Sequence, residues 1–141
     1  MVRNFRHSLP VFLLLCFFFI CFLLIGCGKS DSLPKTNALD YTVVSGSDIP
    51  DELQELIKER CKNAFELTFS DHSCLYVVKG YGKQTSGGYS IVVHDFYQSD
   101  QELVFDTELF GPKKDTSVSS SPSYPYIVIK TEYRENPVVF Q

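Results

Sequence analysis

Several side chains in this sequence belong to types that do chemistry, and their spacing decides what chemistry is open to them. Ser86 or Ser90 could be drawn together with His94 and Asp95 as a hydrolase triad. Adjacent residues on a strand point to opposite faces, however, so His94 and Asp95 would not face the same serine. Neither serine sits in the sharp strand-to-helix turn that exposes a nucleophile. The segment Gly82-Lys83-Gln84 fails as a phosphate loop, which needs Ser or Thr directly after the lysine and a helix to follow. A dinucleotide turn would need glycine where Thr85 stands. His72 and His94 lie in different segments and make a poor metal set, reading instead as a turn residue and a strand-end residue. No catalytic residues, metal ligands or cofactor are expected from these patterns.

The five cysteines divide into groups. Cys16 and Cys21 lie within an unbroken apolar run over residues 11–25, which follows a start carrying Arg3, Arg6 and His7. Cys27 follows Leu24-Ile25-Gly26 and precedes the polar run Lys29-Ser30-Asp31-Ser32. A basic start, a short apolar core and a small residue before the cut are the parts of a signal peptide. A membrane-spanning helix wants about 20 apolar residues, more than this core supplies. The Leu-x-Gly-Cys ending resembles the bacterial lipoprotein signal, which implies cleavage after Gly26 and diacylglycerol on the Cys27 thiol. The chain would then be held at the outer face of a bacterial cell membrane by several acyl chains on one residue, each buried CH₂ contributing about 0.8 kcal/mol. An uncut anchor beginning near Leu9 would put the same residues outside. Cys61 and Cys74 remain, and such a pair in an exported domain could close a disulfide or stay as two buried thiols.

Loss of residues 1–26 removes Arg3 and Arg6, leaving seventeen acids against eleven bases, a net charge near −6. That balance argues against a nucleic-acid partner. Residues 27–38, mostly Ser, Lys, Asp, Pro and Thr from Lys29 on, have little to bury and read as a flexible tether. Residues 39–141 form one domain.

Within that domain, Tyr41, Val43 and Val44 mark a short strand. Ser47-Asp48-Ile49-Pro50-Asp51-Glu52 reads as a helix start, with Ser or Asp able to cap and Pro suited to the first turn. Leu53, Leu56, Ile57 and Cys61 recur at helical spacing, and Lys58, Arg60 and Lys62 favour the negative end of the dipole. Phe65, Leu67 and Phe69 then alternate with polar residues as a half-buried strand. Further strands are expected over residues 74–79, 89–97, 103–110, 126–131 and 138–140, separated by turn-forming segments. The fold expected is mainly β within the α+β class: an antiparallel sheet or sandwich-like domain, folded on itself or covered by one helix.

What remains to recognise something is the segment Thr85-Ser86-Gly87-Gly88-Tyr89, where small residues precede an aromatic. Glycine lets a partner approach the backbone, and tyrosine offers contact area at small entropic cost. The same glycines would equally shape a hairpin or bulge.

The run Leu75-Tyr76-Val77-Val78 followed by Gly82-Lys83-Gln84-Thr85-Ser86-Gly87-Gly88-Tyr89-Ser90-Ile91 resembles the "G-x-x-T-x-G-G-Y-x-V" core of the protease complex subunit PrcB family, in its C-terminal domain. Gly111-Pro112 and Tyr124-Pro125-Tyr126-Ile127-Val128-Ile129-Lys130 resemble that family's Pro-containing loop and following strand, so that the likeness runs from about Phe65 to Thr131. The resemblance implies a lipid-anchored accessory subunit that binds and stabilises an exported protease without cutting peptides itself. Its partner-binding residues would be Thr85, Ser86, Gly87, Gly88 and Tyr89 together with Tyr124, Pro125 and Tyr126. The Gly-Gly-Tyr loop is also similar, more faintly, to the loop of chagasin-like cysteine protease inhibitors, which would imply direct inhibition of an exported peptidase. An envelope lipoprotein with no protease link is the remaining alternative.

Overall fold

A computed structural model describes residues 37–141. The expected signal peptide, the expected lipid site at Cys27 and the expected tether up to residue 36 lie outside the described residues.

The tether stops short of where its composition ends. Asn37–Ala38 form strand β1, pairing antiparallel with Gln98 and Tyr97. The expected start of the domain at residue 39 therefore moves back by two residues. Nothing in the side chains of Asn37 and Ala38 favours a strand, and the pairing is imposed by the neighbouring edge.

Strand β2 (Thr42–Val43) leads into a single 3-10 turn over Gly46–Asp48 and then helix α1 (Asp51–Arg60). Ser47 and Asp48 are used in that turn, so neither caps the helix. Pro50 stands at the capping position itself, where its missing N–H costs nothing. Gln54 ties the preceding turn to the helix instead, donating from Nε2 to the carbonyls of Ile49 (2.9 Å) and Gly46 (3.2 Å). Asp51 and Glu52 in the first turn and Lys58 and Arg60 in the last match the dipole as expected.

The strands that follow are β3 (Ala64–Asp71), β4 (Cys74–Tyr81), β5 (Ser90–Gln98), β6 (Leu103–Phe110), β7 (Tyr126–Glu132) and β8 (Val138–Phe140). They form two four-stranded sheets, ordered β1-β5-β6-β8 and β2-β7-β4-β3. The domain is thus mainly β with one helix, as expected, yet the two covers posed as alternatives both occur. Phe65, Leu67 and Phe69 of β3, with Tyr76, Val78 and Val128, pack under Leu53 and Ile57 of α1. On the other face of that sheet, Leu75, Val77 and Ile129 meet Phe96, Leu103 and Phe105 of the second sheet. Strand β4 lies between both covers, which is why Leu75, Tyr76, Val77 and Val78 are all buried.

Phe105 sits at the centre of the inter-sheet core with edge-to-face contacts to Phe96 (5.9 Å) and Phe140 (6.1 Å). Two buried hydroxyls are satisfied across the core: Tyr81 donates to Thr107 Oγ1 (2.8 Å), and Thr131 donates to the Asp40 carbonyl (2.8 Å). One pairing departs from the antiparallel pattern. The chain passes from β7 in one sheet to β8 in the other, and β8 runs parallel to β6.

Of the two readings left open for the cysteine pair, the hairpin register goes with separate thiols. Cys61 and Cys74 are both free thiols. Ala64 pairs with Tyr81 and Asp71 with Cys74, so the residues after Cys61 begin at one end of the β3–β4 hairpin and Cys74 starts β4 at the other. Seven strand steps separate Ala64 from Asp71, about 23 Å, whereas a disulfide needs Cα atoms within about 7 Å. Cys61 instead donates to the Lys58 carbonyl (3.3 Å), and Cys74 packs against the core under the helix.

Candidate functional site

The sequence marked two separate segments as binding residues, and the fold joins them. Residues 82–89 connect β4 in one sheet to β5 in the other, while residues 111–125 connect β6 to β7. Both connections lie at the same end of the sandwich. Gln84 and Ser123 form a two-way backbone bridge, with N–H···O distances of 2.8 and 3.2 Å. Gly87 N–H donates to the Ser119 carbonyl (2.9 Å), Ser123 Oγ donates to the Ser86 carbonyl (2.6 Å), and Tyr81 N–H donates to the Pro125 carbonyl (3.0 Å). The long Ser-rich connection is therefore a strap pinned across the Gly-Gly loop. No local pattern in either segment announces this pairing.

The glycines answer the choice between shaping and recognition. Gly88 adopts φ +84°, and a Cβ there would lie 2.5 Å from Val118 Cγ1 and 3.1 Å from Pro112 Cβ. Both facts exclude a side chain, so Gly88 is required by the fold of the loop. Gly87 has ordinary room: a Cβ would meet Ser119 at 3.5 Å. Gly82, at φ +70°, lies against the backbone of Asn63 and Ala64 and carries the chain past the start of β3. Tyr89 is half-buried, its ring beside Gly111.

What this end offers to solvent is Thr85, Tyr124 and Tyr126, with the two tyrosines 39% and 44% exposed. Pro125, Ser86 and Gly87 are half-buried between them. Lys62, Lys83, Lys113 and Lys114 are all exposed at the same end, and the Lys83 N–H donates to the Lys62 carbonyl (3.2 Å). The opposite end, where the chain enters at β1, carries exposed Asp40, Asp71, Asp100 and Glu132. Exposed Asp115 on the same connection offsets one of these four lysines, and the end stays locally basic on an acidic domain.

The residues considered for catalysis make other bonds. Ser86 Oγ donates to the Gly87 carbonyl (3.2 Å). His94, expected at a strand end, sits within β5 at a bulge between Val93 and Asp95, and its Nε2 lies 2.8 Å from Glu108 Oε2. His72 occupies the β3–β4 turn as expected, at φ +50°. No group of three or more His, Cys, Asp or Glu placed to hold a metal occurs among the described residues.

A groove of about 710 Å³ at the entry end is lined by Asp40, His72, Cys74, Lys130 and Glu132 among others. The Lys130 ammonium is held above its ordinary pKa, first by a hydrogen bond with Tyr76 and next by the nearby Cys74 thiol. It also lies 5.6 Å from the centroid of the Tyr76 ring. Asp40 and Glu132 line the same groove as this lysine.

Residues 75–132 match the family model described as PrcB C-terminal. The resemblance expected from the Gly-Gly-Tyr motif is thereby borne out, over a span that begins at Leu75 and takes in both pinned connections. No curated protein and no solved structure matches the chain.

Proposed function

We propose that this chain is a lipid-anchored, non-catalytic subunit that holds a partner protein, an exported protease, at the outer face of a bacterial membrane. The single observation that carries the reading is the convergence of two motif segments into one pinned, exposed surface within the residues that match PrcB C-terminal. The resemblance to the protease complex subunit PrcB family, with the match over residues 75–132, supports a protein partner over a small molecule. Anchoring rests on the Leu-Ile-Gly-Cys sequence before the polar run.

The entry point of the chain supports the same reading. β1 pairs with the last residues of β5, while the pinned loops precede its first residue. The eight steps of β5 separate them by about 26 Å. A domain tethered through its N-terminus would present Tyr124 and Tyr126 away from the point of attachment.

The test is recovery of proteins bound to the detergent-solubilised full chain, comparing wild type with Tyr124→Ala/Tyr126→Ala. Both tyrosines are exposed, so the variant keeps its fold, whereas a change at Gly88 would disturb the loop itself. A peptidase recovered with wild type and lost with the variant supports the proposal. Adding the full chain to that peptidase then separates roles: a longer active lifetime fits a stabilising subunit, and saturable inhibition would replace it with an inhibitor. Recovery of the same proteins by both forms would refute the surface.

A further inference from the structure

Beyond the pinned loops, the same end of the molecule has a backbone edge without a partner. Among the described residues, β1 pairs with β5 only at Tyr97 and Gln98, so Ser90, Ile91, Val92 and Val93 have β6 on one side and no strand on the other. β8 and Gln141 after it cover β6 only from Leu103 to Thr107. The far end of this sheet is therefore a two-stranded ribbon, and such ribbons are marginal unless something extends them. Open strand edges are ready templates for another strand, and single domains usually blunt them with charge or proline. Here the edge carries Ser, Ile, Val and Val.

The outer face of the ribbon is mixed where it is open: Glu108, across from Val92, is occupied by His94, and beside that pair the face is apolar. Val92 and Phe110 are each 42% exposed. Together with Pro112 and Val118 of the strap they line a groove of about 490 Å³ that also includes Lys113. Lys114 and Asp115 follow next in the chain, and all three are exposed, leaving one net positive charge beside the groove.

We propose that this groove and the free edge of β5 receive an extended acidic segment of the partner protein, added as a further strand beside Ser90–Val93. Main-chain hydrogen bonds to the edge would supply affinity, and alternate side chains would supply specificity. One apolar side chain of the added strand fits between Val92, Phe110 and Val118, and a neighbouring carboxylate meets Lys113 or Lys114. The charge argues for this occupant over a second copy of the chain, which would bring its own Lys113 and Lys114 to the same groove. The inference rests on the proposed binding of a partner protein and names the segment that is bound.

The experiment places a photo-crosslinking amino acid at position 92, at position 110 and, as a control on the remote strand β2, at position 43, in the full chain in its native membrane. All three positions are exposed, so the fold is kept. The expected result is an adduct from positions 92 and 110 but not from 43, whose partner peptide, sequenced by mass spectrometry, carries Asp or Glu alternating with apolar residues. Lys113→Glu/Lys114→Glu should lower the adduct yield about ten-fold, with the loss greatest at low salt. An adduct to a second copy of this chain, an adduct to lipid, or no adduct from 92 and 110 would each overturn the inference. If the acidic strand belongs to a protein that is not a peptidase, the site stands and the protease reading fails. If a peptidase is recovered with the full chain but no adduct forms from positions 92 and 110, the protease reading stands and the edge site fails.

Discussion

The β5–β6 hairpin is one continuous ribbon with two different ends. At the entry end, Phe96, Tyr97, Leu103, Val104 and Phe105 are buried, and β1 and β8 flank the pair. At the loop end, Val92, Glu108 and Phe110 face solvent with no flanking strand among the described residues. The loop end is more polar in sequence, with His94, Asp95, Asp106 and Glu108, yet it also leaves Val92 and Phe110 exposed, so apolar character alone does not decide what is covered here. What separates them is coverage. The short strands β1 and β8 and the opposing sheet reach one end of the hairpin, and only the Ser-rich strap reaches the other. The apolar residues left uncovered are the ones available to a partner.

Two phenylalanines on β6 give the sharpest break of that comparison. Phe105→Ala removes a fully buried ring with two aromatic neighbours and should cost about 3–5 kcal/mol. Phe110→Ala, on the same strand, should cost less than about 1 kcal/mol. Urea unfolding followed by circular dichroism measures both. Similar losses for the two would mean that the loop end is covered after all.

The adjacent glycines test whether the loop is shape or surface. Gly88→Ala should cost about 1–3 kcal/mol, from its left-handed backbone and the Val118 contact. Gly87→Ala, with φ in the ordinary range and room for a methyl group, should stay within about 0.5 kcal/mol. The same unfolding curves report them. Equal tolerance at both positions would sink the strap as the element that fixes the loop.

Tyr124→Ala/Tyr126→Ala should change stability by less than about 0.5 kcal/mol while lowering partner recovery ten-fold or more, since buried tyrosines at an interface carry disproportionate energy. A loss of stability as large as the loss of binding would assign these rings to the core instead. The smallest expected effect concerns the cysteines: the intact mass of the chain should be the same with and without reductant, because the hairpin holds Cys61 and Cys74 at opposite ends. A gain of two hydrogens on reduction would contradict the register.

Much of this architecture was legible because the patterns are local. Alternation of Phe65, Leu67 and Phe69 marked β3, and the runs around Val77, Val92 and Ile129 marked β4, β5 and β7 within a residue or two. The separation of the cysteines was legible too, had the turn at His72 been used to fold the hairpin and place Cys74 just past it. β1 was not legible, because Asn37 and Ala38 become a strand only through Tyr97 and Gln98. Nor was the parallel pairing of β8, which depends on a crossing between sheets that no local pattern encodes. For the candidate site, the motif named the loop residues but not their partners. The bridge from Gln84 to Ser123 joins residues far apart in sequence through plain backbone groups. The positive φ of Gly88 is tied to a tertiary contact with Val118, so its structural role was invisible until the strap was placed.

The central claim is that the loop end, with Tyr124 and Tyr126 exposed, holds a peptidase. It is tested most directly by quantitative recovery of proteins with the full chain from solubilised membranes, wild type against Tyr124→Ala/Tyr126→Ala. The account predicts a peptidase enriched with wild type and reduced at least ten-fold with the variant, at unchanged stability. An unchanged set of bound proteins, or a set containing no peptidase, would contradict it.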